Sequence, residues 1–178
     1  MRLVLTRHPD TQCTAVTRIE VGVVRPRPRA LELRFHLTGK ADGLIIPPRA
    51  SPDRTDELWK TTCFEVFVRA PDDAGYCEFN LSPSTQWAAY RFTSYRNGLS
   101  NLNGIKPPRI ETNSDETGFE LRAWLDLPAA APWRLGLSVV IEDAGGGVSY
   151  WALAHPPGKA DFHHADCFAA QLMAPHGS

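Results

Sequence analysis

Apolar and polar residues alternate with a period of two along much of the chain. In residues 31–37 (LELRFHL) every second side chain is apolar, and residues 118–125 and 134–142 repeat the pattern. Such alternation is typical of a strand with one buried face and one solvated face. Strand character also extends over residues 15–24, 60–69, 76–82, 86–93, 148–154 and 167–173.

Turn-forming residues separate these stretches, for example at 71–75 (PDDAG), 97–98 (NG), 113–115 (NSD) and 145–147 (GGG). No stretch shows the pattern of an amphipathic helix of three turns. Nine or so short strands can bury their apolar faces only by packing as a sandwich or barrel. The sequence therefore predicts an all-β fold, a single antiparallel β-sandwich of the jelly-roll-like kind over residues 1–178. The longer connections, 43–58, 97–110 and 155–166, are where loops are expected to wall a site.

The chain has 178 residues, which suits one domain with a full core, and a formal net charge of −1. Its charges are interspersed, so neither nucleic acid nor a membrane surface is expected as a partner. The only basic cluster, Arg25, Arg27 and Arg29, alternates with prolines and is typical of an extended, solvated connection. Neither a bound cofactor nor a particular oligomeric state is indicated.

The N-terminal apolar run is only three residues long, and no later stretch approaches the length of a membrane span. We therefore expect a cytoplasmic protein. Its four cysteines, Cys13, Cys63, Cys77 and Cys167, include no C-x-x-C pair and are expected to be small buried hydrophobes. A disulfide between Cys63 and Cys77 is the alternative if the protein is exported.

Polar residues occupy a strand face that should otherwise be apolar. In residues 58–68 (LWKTTCFEVFV), Phe64, Val66 and Val68 form a core face, whereas Trp59 and Glu65 share the other face. The next two strands contribute Glu78 with Asn80, and then Trp87 with Arg91, if the three strands are neighbours in a meander. The predicted surface thus holds Trp59, Glu65, Glu78, Asn80, Trp87 and Arg91, with Trp151 as an aromatic wall from another strand.

Flat aromatic area beside planar hydrogen-bonding groups is what recognition of a sugar ring requires. The C–H face of the ring packs on an indole, while carboxylate, amide and guanidinium groups bind the hydroxyls. We therefore expect a non-catalytic binding site for a small ligand, with a saccharide as the ligand. The alternative is structural: Glu65 and Arg91 form a buried ion pair that the tryptophans cover.

Three motifs extend this interpretation. Residues 58–67 (LWKTTCFEVF), 76–84 (YCEFNLSPS) and 87–92 (WAAYRF) resemble the DOMON-like domains, which are related to family 9 carbohydrate-binding modules. Residues 150–156 (YWALAHP) and 158–164 (GKADFHH) are similar to the closing motif of a bacterial subgroup of those domains.

The resemblance implies a β-sandwich with a ligand site on one face. It implies that Trp59 and Trp151 sandwich a terminal sugar while Glu65 and Arg91 hold its hydroxyls. The relatives also use asparagines near the arginine and before the second tryptophan, where this chain has Thr93-Ser94 and Val148-Ser149. Their calcium sites have no matching acidic loop here. Other DOMON domains bind haem, which implies a haem site as an alternative.

Three other functions are compatible with the same residues. Glu65 and Glu78 could serve as the paired carboxylates of a glycosidase. His155, His163 and His164, near Asp161, Asp166 and Cys167, are weak candidates for a divalent metal or haem site, although their spacing matches no standard zinc pattern. The aromatic face could also contact another protein, because tryptophan and arginine dominate protein interfaces.

Overall fold

The structure, a computed structural model, describes residues 1–173. Twelve strands make up most of this part of the chain, together with three short 3-10 turns at Ala41–Gly43, Leu58–Lys60 and Ala165–Cys167. The strands are β1 (Arg2–Arg7), β2 (Val16–Arg27), β3 (Ala30–Gly39), β4 (Cys63–Arg69), β5 (Tyr76–Leu81), β6 (Trp87–Phe92), β7 (Ser100–Asn101), β8 (Arg109–Asp115), β9 (Gly118–Asp126), β10 (Trp133–Glu142), β11 (Val148–Ala152) and β12 (Ala170–Leu172).

The strands form two antiparallel layers that β1 connects. One layer has the order β1-β2-β3-β9-β8, and the other has the order β7-β6-β5-β4-β10-β11, with β12 beside the start of β10. The first residues of β1 pair with β2, whereas Thr6 and Arg7 pair with β11, so one strand belongs to both layers. This arrangement confirms the predicted all-β sandwich.

The core lies between the layers and is built by the alternation seen in the sequence. The inward residues of β3, β9 and β10 are those that the pattern predicted, and all of them are buried. Phe64 of β4 connects the layers, with its ring centre 5.1 Å from that of Phe35 and 6.1 Å from that of Phe119. Each buried aromatic ring contributes a large apolar area, so this contact is a major part of the sandwich interface.

The middle of the second layer is covered on both faces. Every residue of β5 is buried, and so is every residue of β4 except its last. On the outer face, the segment 160–168 packs over the sheet and forms a second apolar cluster. That cluster contains Phe67, Tyr76, Phe92, Val140, Ala152, Phe162 and Phe168. The outer face of this layer is therefore partly enclosed rather than freely solvated.

Three strands have no counterpart among the predicted ones, because each buries few side chains. β1 buries only Leu5, β8 buries only Ile110, and β7 is two exposed residues long. The predicted turn at 113–115 is wrong, because β8 continues to Asp115 and pairs there with Gly118 of β9. Edge strands with mostly polar side chains lack the alternation that identifies the central ones.

All four cysteines are free, and Cys63, Cys77 and Cys167 are buried. Cys63 and Cys77 lie on opposite faces of adjacent strands, since Cys77 belongs to the core between the layers and Cys63 packs with Leu58 and Ala88 outside it. The alternative of a disulfide between them is therefore wrong. In residues 1–173, no helix has the length and apolar character that crossing a bilayer requires.

The two-layer packing can be tested by comparing one buried leucine with one exposed leucine. Leu121 of β9 is fully buried, whereas Leu99 is 61% exposed. We expect Leu121→Ala to lower the free energy of unfolding by about 2–5 kcal/mol, because it leaves a cavity between the layers. Leu99→Ala should change it by no more than about 0.5 kcal/mol. Urea unfolding of both variants checks this, and equal losses would contradict the assignment of the core.

Candidate functional site

A cleft of about 900 Å³ opens on the outer face of the second layer. Strands β4, β5, β6, β10 and β11 form its floor, and residues 56–60, 96–101 and 160–163 form its walls. Its aromatic lining consists of Trp59, Tyr90, Phe92, Tyr150 and Phe162. Its ionisable lining consists of Asp56, Glu57, Lys60, Glu65, Glu78, Arg96 and His163. The size and the mixture of apolar walls with a few polar groups are typical of small-molecule sites.

Strand register places three polar side chains on the floor. Glu65 of β4 lies opposite Asn80 of β5 on one side and Ser138 of β10 on the other. Glu78 lies two residues before Asn80 and therefore on the same face. Glu65 is 4% exposed, Glu78 is 5% exposed and Asn80 is fully buried.

The floor groups are only partly hydrogen-bonded. Ser138 Oγ donates to Glu65 Oε2 at 3.1 Å, and Asn80 Nδ2 donates to Glu78 Oε1 at 2.8 Å. Beneath the floor, Asn80 Oδ1 has no hydrogen-bond partner among residues 1–173. On the lining itself, Glu65 Oε1 and Glu78 Oε2 receive no hydrogen bond from these residues, so this face can gain from a ligand that supplies donors.

Both carboxyl groups are held toward their protonated forms. Burial raises the pKa of Glu65 to about 8, and repulsion from Glu78 adds to the effect. Burial also raises the pKa of Glu78 to about 7, against the opposing hydrogen bond from Asn80 and the charge of Arg96. A protonated carboxyl group can both donate and accept, which suits the binding of hydroxyl groups.

His163 is held as a neutral donor beside Glu78. The Tyr76 hydroxyl accepts the backbone N–H of Arg96 at 3.1 Å and is hydrogen-bonded to His163 Nδ1 at 2.7 Å. We assign the hydroxyl as donor to Nδ1 and the ring proton to Nε2, which lies 3.8 Å from Glu78 Oε2. Burial lowers the pKa of His163 to about 4, and the Arg96 charge contributes.

The cations on the walls are already paired with acids. Arg96 forms an ion pair with Asp161 at 2.7 Å, and Asp161 also accepts the Tyr95 hydroxyl. Lys60 pairs with Glu57 at 2.7 Å. The first pair joins wall 96–101 to wall 160–163, and the second lies within wall 56–60, so both pairs lie at the rim of the cleft rather than on its floor.

Trp59 supplies the exposed aromatic surface at the rim. It lies in the 3-10 turn Leu58–Lys60 that precedes β4, and it is 51% exposed. Tyr150 of β11 packs edge-on against Phe162 on another side of the cleft, with their ring centres 6.0 Å apart. An exposed indole next to a polar floor is a surface on which a sugar ring can stack.

The structure brings together four of the predicted site residues: Trp59, Glu65, Glu78 and Asn80 all lie on or beneath this cleft. The other three, Trp87, Arg91 and Trp151, lie elsewhere, and their predicted place on this face is wrong.

Trp87 and Arg91 lie on the opposite face of β6. Trp87 pairs with Leu81 and is buried in the core, where its Nε1 donates to the carbonyl of Pro52 at 3.1 Å. Arg91 pairs with Cys77, a core-face residue, so it does not approach Glu65. The ion pair between Glu65 and Arg91 that the sequence left as an alternative is therefore also wrong.

Trp151 likewise faces the core. It pairs with Val139 of β10, is buried, and donates from Nε1 to Ser149 Oγ at 3.0 Å. Its neighbour Tyr150 points into the cleft instead. The two tryptophans that the resemblance implied as a sandwich are therefore on different faces of the sheet, and only Trp59 lines the cleft.

Sequence reasoning did not place at this site several residues of the cleft, among them Tyr90, Arg96, Tyr150 and Phe162, and it named His163 only as a weak metal or haem candidate. The register of the β5–β6 hairpin would have found Tyr90, which lies opposite Glu78. Arg96 and His163 come from loops, and non-local hydrogen bonds to Tyr76 position them. Arg96 also has a left-handed backbone (φ 53), a conformation that concentrates at functional sites.

The histidines proposed as weak metal or haem ligands are already engaged. His155 Nε2 is bonded to the carbonyl of Thr6 at 2.8 Å, and His164 Nδ1 accepts from the backbone of Asp166 at the start of a 3-10 turn. In the part of the chain that the structure describes, no three His, Cys, Asp or Glu side chains form a group that could hold a metal ion. Metal and haem binding stay predictions.

Known structures share this fold. A proposed carbohydrate-binding protein from Bacteroides uniformis superposes with a TM-score of 0.68 at 10% identity, over 94% of this chain and 83% of that one. A family 9 carbohydrate-binding module from Caldicellulosiruptor kristjanssonii, in complex with glucose, superposes with a TM-score of 0.53 at 14% identity, over 86% and 75% of the two chains. No protein-family model and no curated protein matches the sequence.

These likenesses support the relation to family 9 modules that the motifs indicated, at the level of the fold. At such low identity they do not define this chain's ligand. The DOMON-like assignment stays a prediction.

The buried carboxyl groups predict how stability depends on pH. Since the pKa of Glu65 is raised from 4.5 to about 8, the unfolded chain loses this proton first as the pH rises. The stability of the folded protein should therefore fall between about pH 4.5 and 8, by on the order of a few kcal/mol. His163, with a lowered pKa, acts in the opposite direction below pH 6.5.

Glu65→Gln removes the contribution of Glu65 to the pH dependence of stability. The contribution of His163 is present in both the variant and the wild type. We expect the difference in unfolding free energy, variant minus wild type, to increase in favour of the variant from pH 5 to pH 8.5. Urea unfolding at both pH values measures it. A difference independent of pH would contradict the assignment of Glu65 as a buried, protonated group.

Proposed function

We propose that this chain is a non-catalytic saccharide-binding domain and that the cleft over β4, β5 and β6 is its binding site. The observation that carries the proposal is one exposed indole, Trp59, at the rim of a cleft whose floor holds incompletely bonded polar groups. A sugar presents an apolar C–H face and many hydroxyls, so it matches both parts.

The polar floor is suited to hydroxyl groups. Glu65 and Glu78 each have a carboxyl oxygen without a hydrogen bond from the described residues, Asn80 Oδ1 lacks a donor, and His163 presents an N–H. Because several of these groups both donate and accept, they can bind adjacent hydroxyls that act either as hydrogen-bond donors or as acceptors. The two structural neighbours, a proposed carbohydrate-binding protein and a family 9 module bound to glucose, agree with this choice of ligand.

Binding is favoured over glycoside hydrolysis. A retaining or inverting glycosidase needs one ionised carboxylate beside one protonated acid. Here burial holds both Glu65 and Glu78 toward the protonated form, and neither has a lysine or arginine partner in residues 1–173. With no cation among residues 1–173 paired to either group, the pair lacks the stabilised carboxylate that a glycosidase nucleophile or base requires.

The proposal is tested by titrating neutral mono- and disaccharides into the protein while tryptophan fluorescence and heat of binding are recorded. We expect at least one sugar to bind and to be recovered intact. Trp59→Ala should weaken that binding by about tenfold or more, because the stacking surface is lost. Trp124→Ala, which removes a half-buried indole from the other layer, is the matched control and should leave it unchanged.

Absence of binding across the whole panel by a folded protein would sink the proposal. Equal losses in the Trp59 and Trp124 variants would place the site elsewhere. Conversion of the sugar to products, lost in Glu65→Gln, would show an enzyme instead.

A further inference from the structure

The two carboxyl groups on the cleft floor form no ion pair with a lysine or arginine of residues 1–173. Glu65 receives one hydrogen bond from a hydroxyl, and Glu78 receives one from an amide. His163, whose Nε2 lies 3.8 Å from Glu78 Oε2, is held neutral by burial and by the charge of Arg96. Buried carboxyl groups in proteins are usually paired with a cation, so this arrangement calls for an explanation.

The two cations on the cleft lining, Arg96 and Lys60, are each paired with an acid of the walls. Arg96 is held by Asp161 and Lys60 by Glu57, and both pairs lie on the walls rather than on the floor. Asp56, a further acid on the lining, accepts the Tyr90 hydroxyl at 2.6 Å. With these pairs formed, the charged or chargeable groups of the lining that have no ion-pair partner among residues 1–173 are mainly acids: Glu65, Glu78 and Asp56.

A further acceptor lies buried beneath the floor. Asn80 Oδ1, directly across the strand pair from Glu65, has no donor among residues 1–173. An unpaired amide oxygen adds negative potential at the place where the two carboxyl groups lie. An ammonium group has three N–H donors and a full positive charge, so it satisfies acceptors of this kind better than a hydroxyl does.

We propose that the preferred ligand of this cleft is an amino sugar, whose protonated amine lies against Glu65 and Glu78 while its ring packs on Trp59. This inference rests on the proposed saccharide-binding function and names the class of sugar. The ligand supplies the cation that the fold leaves out, and its ring uses the same aromatic rim as any other sugar.

The proposal predicts that binding of an amino sugar releases a proton. An ammonium group stabilises the ionised form of a carboxyl group at short range, so binding should convert a protonated carboxyl group on the floor to a carboxylate and release its proton to the buffer. The amine keeps its own proton, and charge is balanced. A neutral sugar has no such effect, and an anionic sugar would require Arg96 or Lys60 to leave its present partner.

The test is calorimetric titration of the full chain at pH 7 with three matched pairs: glucosamine and glucose, galactosamine and galactose, mannosamine and mannose. In at least one pair the amino sugar should bind about tenfold or more tightly than its neutral partner. N-acetylglucosamine, which has no charge, should bind no better than glucose. The heat for the amino sugar should differ between buffers of different ionisation enthalpy, because a proton is released.

Variants that keep the shape of a floor side chain but cannot ionise test whether the preference depends on charge. Glu65→Gln should reduce the ratio of amino-sugar to neutral-sugar affinity to near one and abolish the buffer dependence. Glu78→Gln provides the same test if thermal melting shows that the first variant does not fold. Glu116→Gln removes an exposed carboxylate in the turn between β8 and β9 and should leave the ratio unchanged.

The outcomes distinguish the two proposals. Neutral sugars that bind as tightly as their amino counterparts in all three pairs would overturn the amino-sugar inference and leave saccharide binding intact. A ratio that survives in both Gln variants would also overturn it. Failure of every sugar to bind to the folded protein would overturn the saccharide function and this inference with it.

Discussion

The pairing of β4 with β5 and β10 is the constraint on which the rest of the molecule depends. It places Phe64 against Phe35 and Phe119 between the layers, and the same register turns Glu65 toward the outside of the sheet. Because side chains alternate along a strand, a shift by one residue would put a carboxyl group into the core and Phe64 outside. Core and cleft are therefore specified by a single set of backbone hydrogen bonds.

Glu65 and Glu78 have little contact with water because other segments cover the outer face of the second layer. Segment 160–168 packs Phe162 and Phe168 over the sheet, and the wall residues 56–60 close another side. Water is thereby excluded from Glu65 and Glu78, which raises the pKa of both and leaves their oxygens available to a ligand. Removing these carboxyl groups from water costs free energy, and the packing of the sandwich does not require it. The proposed binding role accounts for it.

The sequence predicted the fold class well, because β3, β9 and β10 alternate strictly and belong to the same core. It also placed Trp59, Glu65, Glu78 and Asn80 together, since the last three come from two consecutive strands that pair as a hairpin and Trp59 lies in the turn just before the first of them. It failed on β6, where Arg91 made one face look polar. The hairpin instead aligns Trp87 with Leu81 and Tyr90 with Glu78, which only the pairing register reveals.

Residues from distant segments were beyond sequence reasoning for a different reason. His163 reaches the floor through a hydrogen bond to Tyr76, 87 positions away, and the loop residue Arg96 is held by Asp161. Nothing in local periodicity indicates such contacts. Trp151 shows the limit of a resemblance as well: the motif is present, but its tryptophan pairs with Val139 and faces the core.

The central claim is that the outer face of the second layer binds a saccharide. The most direct measurement is a titration of the isotope-labelled protein with the best-binding sugar, followed by the backbone amide shifts in proton–nitrogen NMR spectra. The largest shift changes should fall on β4, β5 and β6 and on residues 56–60, 96–101 and 160–163. Changes concentrated on β2, β3, β8 and β9, or spread without pattern over both layers, would contradict it.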